Sequence, residues 1–416
     1  MDKKVPILQE SRCIMRIGII GGGASGMAAA LTAAENTENH VILMERQARL
    51  GKKLSATGNG RCNLTNLHAM EGGYHGEDPS FVLPAMNAFS VEDTMNWFHH
   101  LGLYTVSEKS GRVYPYSDQA GSVLDVLRFA LNQPNIEVLS GCEAEKIRKT
   151  DRGFVITSHG ENLIVDRLII ACGGLAGTRL GGSMFGYRFL RGFGHHCTKL
   201  RPTLVQIKTG WPGISALKGV RANCQVAVLK DGQVFAESLG EMQFTEQGFS
   251  GPVMYEVSRD VCQEKGQWIC CMDFLPDMNL ETLTAELCCR REKSITAGDL
   301  FTGILHNRLG KVLIKHADLT ENQPVSSLTD QEIRNAAWTA KHFEAELTEP
   351  LGMDSAQVTA GGILTEEFDP HTLESRLVPG LYACGEVLDI DGDCGGYNLQ
   401  WAWSSGRLAG LHAGKE

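Results

Sequence analysis

The sequence predicts an α/β fold in which one parallel-sheet unit is interrupted by an inserted domain. Three observations predict it. The chain opens with a β-α-β pattern, turns strand-rich and then helical through its middle, and returns near its end to the glycine-rich character of its beginning. At 416 residues it exceeds one ordinary hydrophobic core, so two or three units are expected.

Residues 1–15 read as an irregular leader. The β-branched run RIGII (16–20) is then followed by glycines, an alanine-rich helical stretch to about Glu35 and the apolar run HVILMER (40–46). Further on, Ser90 is a good N-cap for a helix stopped at Gly102, and GSVLDVLRFALNQP reads as a helix ending at Pro134. From Asn135 to Gly174, IEVLS, EKIRK, FVITS, NLIVD and LIIACGG follow closely, which predicts a β-meander ending in a buried strand. These observations divide the chain into a first unit over 16–198 and an insert over 199–352. The insert is β-rich over 199–275 and helical over 280–348, and the first unit resumes over 353–416.

Composition excludes several classes. A charge of −10 without basic blocks gives no footprint for nucleic acid or an anionic membrane, so neither is expected as a partner. The uncharged stretch 17–34 contains five glycines and is not a membrane span. Thirteen cysteines without a C-x-x-C read as reduced thiols in a cytoplasmic protein. Asp389, Asp391 and Asp393 begin like a calcium loop, but Cys394 stands where glycine is required and Gln400 where glutamate is, so no metal is expected. The doublets His99/His100 and His195/His196 read as surface or capping histidines.

Gly21, Gly23 and Gly26 form G-x-G-x-x-G directly after the first strand and at the start of the first helix, and with Ala24 and Ser25 between them they are expected to bind the cofactor. The first glycine permits the turn, the second lets backbone approach a pyrophosphate, and the third lets helix and strand pack closely. Glu45 ends the second strand, where an acid accepts from ribose hydroxyls, and Arg46 follows it. This is the arrangement of a Rossmann-type dinucleotide site, and Glu45 would repel a 2′-phosphate there. By itself it does not separate FAD from NAD. The string GKKLSATGNGRCNLTN (51–66) then gathers Lys52, Lys53, Asn59, Gly60, Arg61, Cys62 and Asn63 into a loop able to wrap an anion and a polar ring edge.

Together with LIIACGG, FTEQGFSGP (244–252), VTAGGI, VPGLYACGEVLD and GGYNLQWAWSSG, that string resembles the BaiN-like/aminoacetone-oxidase family of FAD enzymes over nearly the whole chain. The resemblance implies FAD, with its ADP half on Gly21–Gly26 and Glu45 and the loop 58–63 near the flavin. It also implies that Ala144 meets the adenine through its backbone, that Gly385 and Glu386 border the ribityl and phosphates, and that Gly396, Tyr397, Asn398, Leu399 and Gln400 form a lid under the ring, with Gly173 also counted among the cofactor-binding residues. A β-barrel-like insert with a helical subdomain is implied too. The last helix is expected to start near Leu399 with Asn398 as its cap. Cys62 and Cys394 either face the flavin or simply pack.

No second fingerprint appears, so NAD(P)H is expected only as a transient reductant. The function implied is hydride transfer through FAD, first as an NAD(P)H-driven reductase of an activated C=C bond in a small steroid- or bile-acid-like substrate, for which the insert could supply an apolar pocket. An oxygen-using small-amine oxidase is the alternative, followed by an rRNA uridine reductase and a non-catalytic redox sensor. No residue stands out as the catalytic acid, and nothing in the sequence sets the oligomeric state.

Overall fold

The computed structural model describes residues 15–263 and 266–415, so most of the expected leader lies outside the described residues. The chain divides into two compact units. The first runs to Gly174 and resumes over Leu180–Thr198 and from Gly361, while the second comprises Leu175–Arg179 and Lys199–Ala360.

In the first unit, strands β1 (Arg16–Ile20), β2 (His40–Glu45), β3 (Ile136–Ser140), β4 (Arg167–Ile170) and β5 (Leu381–Ala383) form a wholly parallel sheet in the order β5-β4-β1-β2-β3. Ile17, Ile19, Val41, Ile42 and Leu43 have no exposed surface, because a parallel sheet is covered on both faces and its inner strands are apolar on both sides. β1 connects to β2 through α1 (Ala24–Ala33), whose small side chains are buried on nearly every side. Against α1 lies α2, the last helix, Tyr397–Ala413. The Cβ of an alanine at Gly406 would stand 2.4 Å from the Ser25 carbonyl oxygen, and one at Gly410 would stand 2.4 Å from that of Ala29. Two backbones in van der Waals contact explain why glycine recurs every fourth residue there.

The meander is corrected by the structure. IEVLS leaves it to become the parallel edge strand β3, and only Lys146–Thr150, Gly153–Ser158 and Glu161–Val165 form the antiparallel sheet. Ser90 caps the helix Val91–His100 in a reciprocal box with Asp93.

In the second unit, six strands close a barrel: Ile207–Thr209, Gly248–Ser250, Gln233–Phe244, Arg221–Lys230, Trp268–Asp273 and Phe343–Pro350. The closing strand Phe343–Pro350 falls largely inside the stretch read as helical, and the helix Pro252–Gln263 falls inside the stretch read as β. Phe343, Ala345 and Leu347 alternate with exposed glutamates, a two-residue period that the charges along the preceding helix obscure. Strand Val358–Ala360 pairs with Arg201–Thr203, which carries residues 353–360 with this unit. Among the described residues no helix is long and apolar enough to cross a membrane.

Candidate cofactor site

The three fingerprint glycines do three different things. Gly21 has φ +111°, and a Cβ there would fall 2.3 Å from the Ala171 oxygen; a Cβ on Gly26 would fall 1.8 Å from that of Gly21. Gly23, by contrast, has nothing within 4 Å of its missing Cβ, so its backbone faces open space at the N-terminus of α1. The first-turn N–H groups of Ala24, Ser25 and Gly26 have no carbonyl partners along the helix, and the dipole adds positive potential. Such a cradle suits a pyrophosphate.

Glu45 is aimed at this turn. Its Oε2 accepts the Gly22 N–H at 2.8 Å and its Oε1 the Gln47 N–H at 2.7 Å. Cys142 donates its N–H to the Glu45 carbonyl at 2.9 Å, which brings buried Ala144 to the same end of the sheet. Arg46 donates to the Gly181 carbonyl at 2.7 Å, its guanidinium 5.5 Å from the Phe185 ring centroid.

On the other side of the cradle, Gly385 has φ +76° and approaches so closely that its Cβ would stand 2.6 Å from Ser25 Oγ. Ser405 Oγ accepts the Gly385 N–H at 3.0 Å and Trp401 Nε1 donates to its carbonyl at 3.2 Å, so α2 holds this loop. Glu386 pairs with Lys53 at 2.7 Å. Gly173, with φ +68°, likewise has an open face.

The loop 58–62 is wound almost entirely left-handed: Gly58, Asn59, Gly60 and Cys62 have φ of 57°, 56°, 87° and 63°. Of the three basic residues expected to wrap an anion, Arg61 and Lys53 are engaged by acids, and Lys52 is exposed beside Gln47. Arg61 stacks 3.8 Å from the Tyr114 ring centroid and bonds to Asp118 and Glu108 at 2.5 and 3.0 Å, and Lys53 is held by Glu386. Cys62 is fully buried, and burial pushes its thiol up to about 12, so it packs without reacting. Asn63 is buried beside the Gly396 turn, with its Oδ1 lacking a hydrogen-bond partner.

The expected helix start is corrected. α2 begins at Tyr397 with Gly396 as its N-cap at φ +107°, where a Cβ would strike the Thr65 oxygen at 2.4 Å. Asn398 does not cap. Its Oδ1 accepts the Gly392 N–H at 2.8 Å and its Nδ2 donates to the Gly392 carbonyl at 2.7 Å, stapling the preceding loop. Leu399 lies within the first turn of the helix. Gln400 uses its amide inside the core, with Thr65, Thr94 and Ser404 as partners. Trp403 Nε1 donates to the Leu64 carbonyl at 3.0 Å, tying the left-handed loop to α2.

His195 is corrected as well. It is buried, with Nδ1 2.8 Å from Glu367 Oε2, Nε2 2.9 Å from Ser375 Oγ, and its ring stacked on Phe368. Its partners lie more than 170 residues away, beyond any local pattern. Thr65, whose partner is Gln400, was missed for the same reason, and Gly22, Trp401 and Ser405 because their bonds to Glu45 and Gly385 join separate elements and leave no local pattern.

Glu45, the α1 cradle, Gly385 and the Asn63–Gly396 turn are thus joined within the first unit by successive contacts: Glu45 to Gly22, Ser25 to Gly385, Gly385 to Trp401 of α2, and the start of α2 to Asn63 and Thr65. The fold and site define an FAD-dependent oxidoreductase with a Rossmann-type cofactor domain. The chain belongs to the HI0933-like protein Rossmann domain family, whose model matches residues 15–412. It is 40% identical to the 3-dehydro-bile acid delta(4,6)-reductase of Clostridium scindens over 96% of this chain and 98% of that protein. It is 31% identical to the ribosomal RNA dihydrouridine synthase of Escherichia coli over 93% and 95%, and 26% identical to that of Haemophilus influenzae over 96% and 98%. The BaiN-like resemblance read from GRCNLTN and GGYNLQWAWSSG thus holds over the chain.

Proposed function

We propose that the protein reduces a carbon–carbon double bond conjugated to a carbonyl in a small steroid- or bile-acid-like molecule, with NAD(P)H as transient reductant. What carries this reading is the 40% identity to a bile acid reductase across almost the full length of both chains. FAD, when bound, supplies hydride chemistry. The chain's part is to hold the ADP half between Glu45 and the α1 cradle and to position the rest by Gly385, Glu386 and the α2 N-terminus. That N-terminus would stabilise negative charge developing on the nearby ring edge.

The two RNA-modifying relatives favour a second reading in the same chemistry, because dihydrouridine is uridine with its conjugated double bond saturated. A net charge of −10 and the lower identity place it behind the small-molecule reading. The test is anaerobic: the protein reduced with NADH or NADPH is mixed in turn with a 3-oxo-4-ene steroid acid or ribosomal RNA, and the oxidised protein is mixed separately with a small amine. Flavin reoxidation by the enone, together with parallel double-reciprocal lines in steady-state turnover of NAD(P)H and enone, supports the proposal. Reoxidation by RNA alone, or amine-dependent flavin reduction, refutes it.

A further inference from the structure

The contacts of the first unit give the direction in which the redox end of the dinucleotide lies. Glu45 sits on one side of the cradle; on the other, Ser25 abuts Gly385, Gly385 is bonded to Trp401, and the start of α2 abuts Asn63 and Thr65. The end remote from Glu45 therefore lies toward the Gly395–Gly396 turn. Immediately before that turn, Asp391–Gly392 pairs antiparallel with Tyr74–His75. At the next residue, Asp393 Oδ1 is 2.7 Å from His75 Nε2. A Cβ on Gly73 would stand 2.7 Å from Tyr397 Cε1 and 2.8 Å from Asp393 Oδ2, so Asp393 and the first residue of α2 meet at Gly73.

Reducing a conjugated C=C bond needs a hydride on the β carbon and a proton on the α carbon. The groups around this turn differ in their ability to give that proton. Tyr74 donates its hydroxyl to the Tyr397 carbonyl at 3.2 Å, and burial raises it out of the useful range. Tyr114 is raised by burial and lies beneath Arg61, and Cys62 is sealed in the core. His68 and Glu71 pair on the exposed surface. His75 is about a third exposed, with a side-chain accessibility of 35%. It is thus open to water yet fixed by a carboxylate, the arrangement that orients an imidazole for general acid work.

We propose that His75, oriented by Asp393, is the proton donor to the substrate α carbon. The inference rests on the reductase reading above. With FAD, when bound and reduced, supplying the hydride to the β carbon and ending oxidised, the imidazolium, held through Nε2 by Asp393, gives its Nδ1 proton to the α carbon and is left neutral, and water reprotonates it; the C=C bond becomes C–C with two new C–H bonds. Asp393 is a positioning residue.

The test separates the half-reactions. The FAD-loaded protein, reduced with dithionite so that no nicotinamide step enters, is mixed anaerobically with the 3-oxo-4-ene steroid acid and flavin reoxidation is followed. The wild type reoxidises. His75→Gln slows this step roughly 100-fold or more, while FAD content, melting temperature and reduction by NAD(P)H stay as in the wild type. Imidazole in the buffer restores the rate of His75→Ala.

A readout without turnover is the ultraviolet spectrum of a steroid-shaped phenol, an enolate mimic, bound to the oxidised protein. The wild type binds it as phenolate, and His75→Gln and Asp393→Asn bind it as phenol. Should His75→Gln lose FAD, Asp393→Asn serves in its place, slowing reoxidation at least tenfold with FAD retained. A wild type that reduces the enone while both variants stay within threefold of it overturns the proposal. A wild type whose reduced flavin no enone reoxidises overturns the reductase reading and the proposal with it.

Discussion

Replacing Gly406 with alanine sets two effects against each other. In a helix interior alanine is favoured over glycine by about 0.5–1 kcal/mol. The new methyl, however, would lie 2.4 Å from the Ser25 carbonyl oxygen and 3.0 Å from its Cα, both backbone atoms of α1 that no side-chain rotation can move aside. α2 must therefore shift off α1 by upward of about half an ångström, and overpacking of this kind costs about 1–3 kcal/mol. The net loss should be about 1–2 kcal/mol, or roughly 2–8 °C in melting temperature for a unit of a couple of hundred residues. Because Ser25 also abuts Gly385, flavin should be released at a lower temperature than in the wild type, as read by its fluorescence. Gly121 is the control: it lies in the helix Ala120–Ala130 with nothing within 4 Å of its missing Cβ, so Gly121→Ala should stabilise by about 0.5–1 kcal/mol. A Gly406→Ala protein as stable as the wild type would refute the close-contact argument.

Glu45→Arg should weaken FAD binding by about 1–3 kcal/mol, since it removes both the ribose acceptor and the acceptor of the Gly22 and Gln47 N–H groups; equilibrium titration of the apoprotein with FAD checks this. Asn398→Ala should cost about 1–2 kcal/mol through the 392–393 loop while leaving helix content by circular dichroism unchanged, because Gly396 and not Asn398 starts the helix. Burial lowers His195 against the pull of Glu367, so the unfolded chain takes up that proton first. Stability should hold above the ordinary imidazole value of about 6.5 and fall as the pH drops through and below it. Urea unfolding across pH 4.5–8 should show this slope, flattened in His195→Gln; equal slopes in the two proteins would refute it.

The sequence alone determined the opening strand–glycine–helix–strand, because each part has a local physical cause: a buried parallel strand is apolar throughout, a turn with positive φ needs glycine, and a strand-end acid follows at fixed spacing. It determined the family for the same reason, since GRCNLTN and GGYNLQWAWSSG are contiguous strings. Tertiary structure decided what depends on distant partners. IEVLS became an edge strand because β2 offered it a parallel neighbour, and Phe343–Pro350 became a strand because the barrel needed closing. Asn398 has the residue type of a cap, yet Gly396 is the one residue whose backbone fits against Thr65, and the freed amide turned to Gly392. His195 found Glu367 and Ser375, and His75 found Asp393 across 318 residues. Periodicity and capping rules read a pattern along one element, whereas these choices were made by backbone proximity between different segments of the chain, where one hydrogen bond or one missing Cβ outweighs local preference.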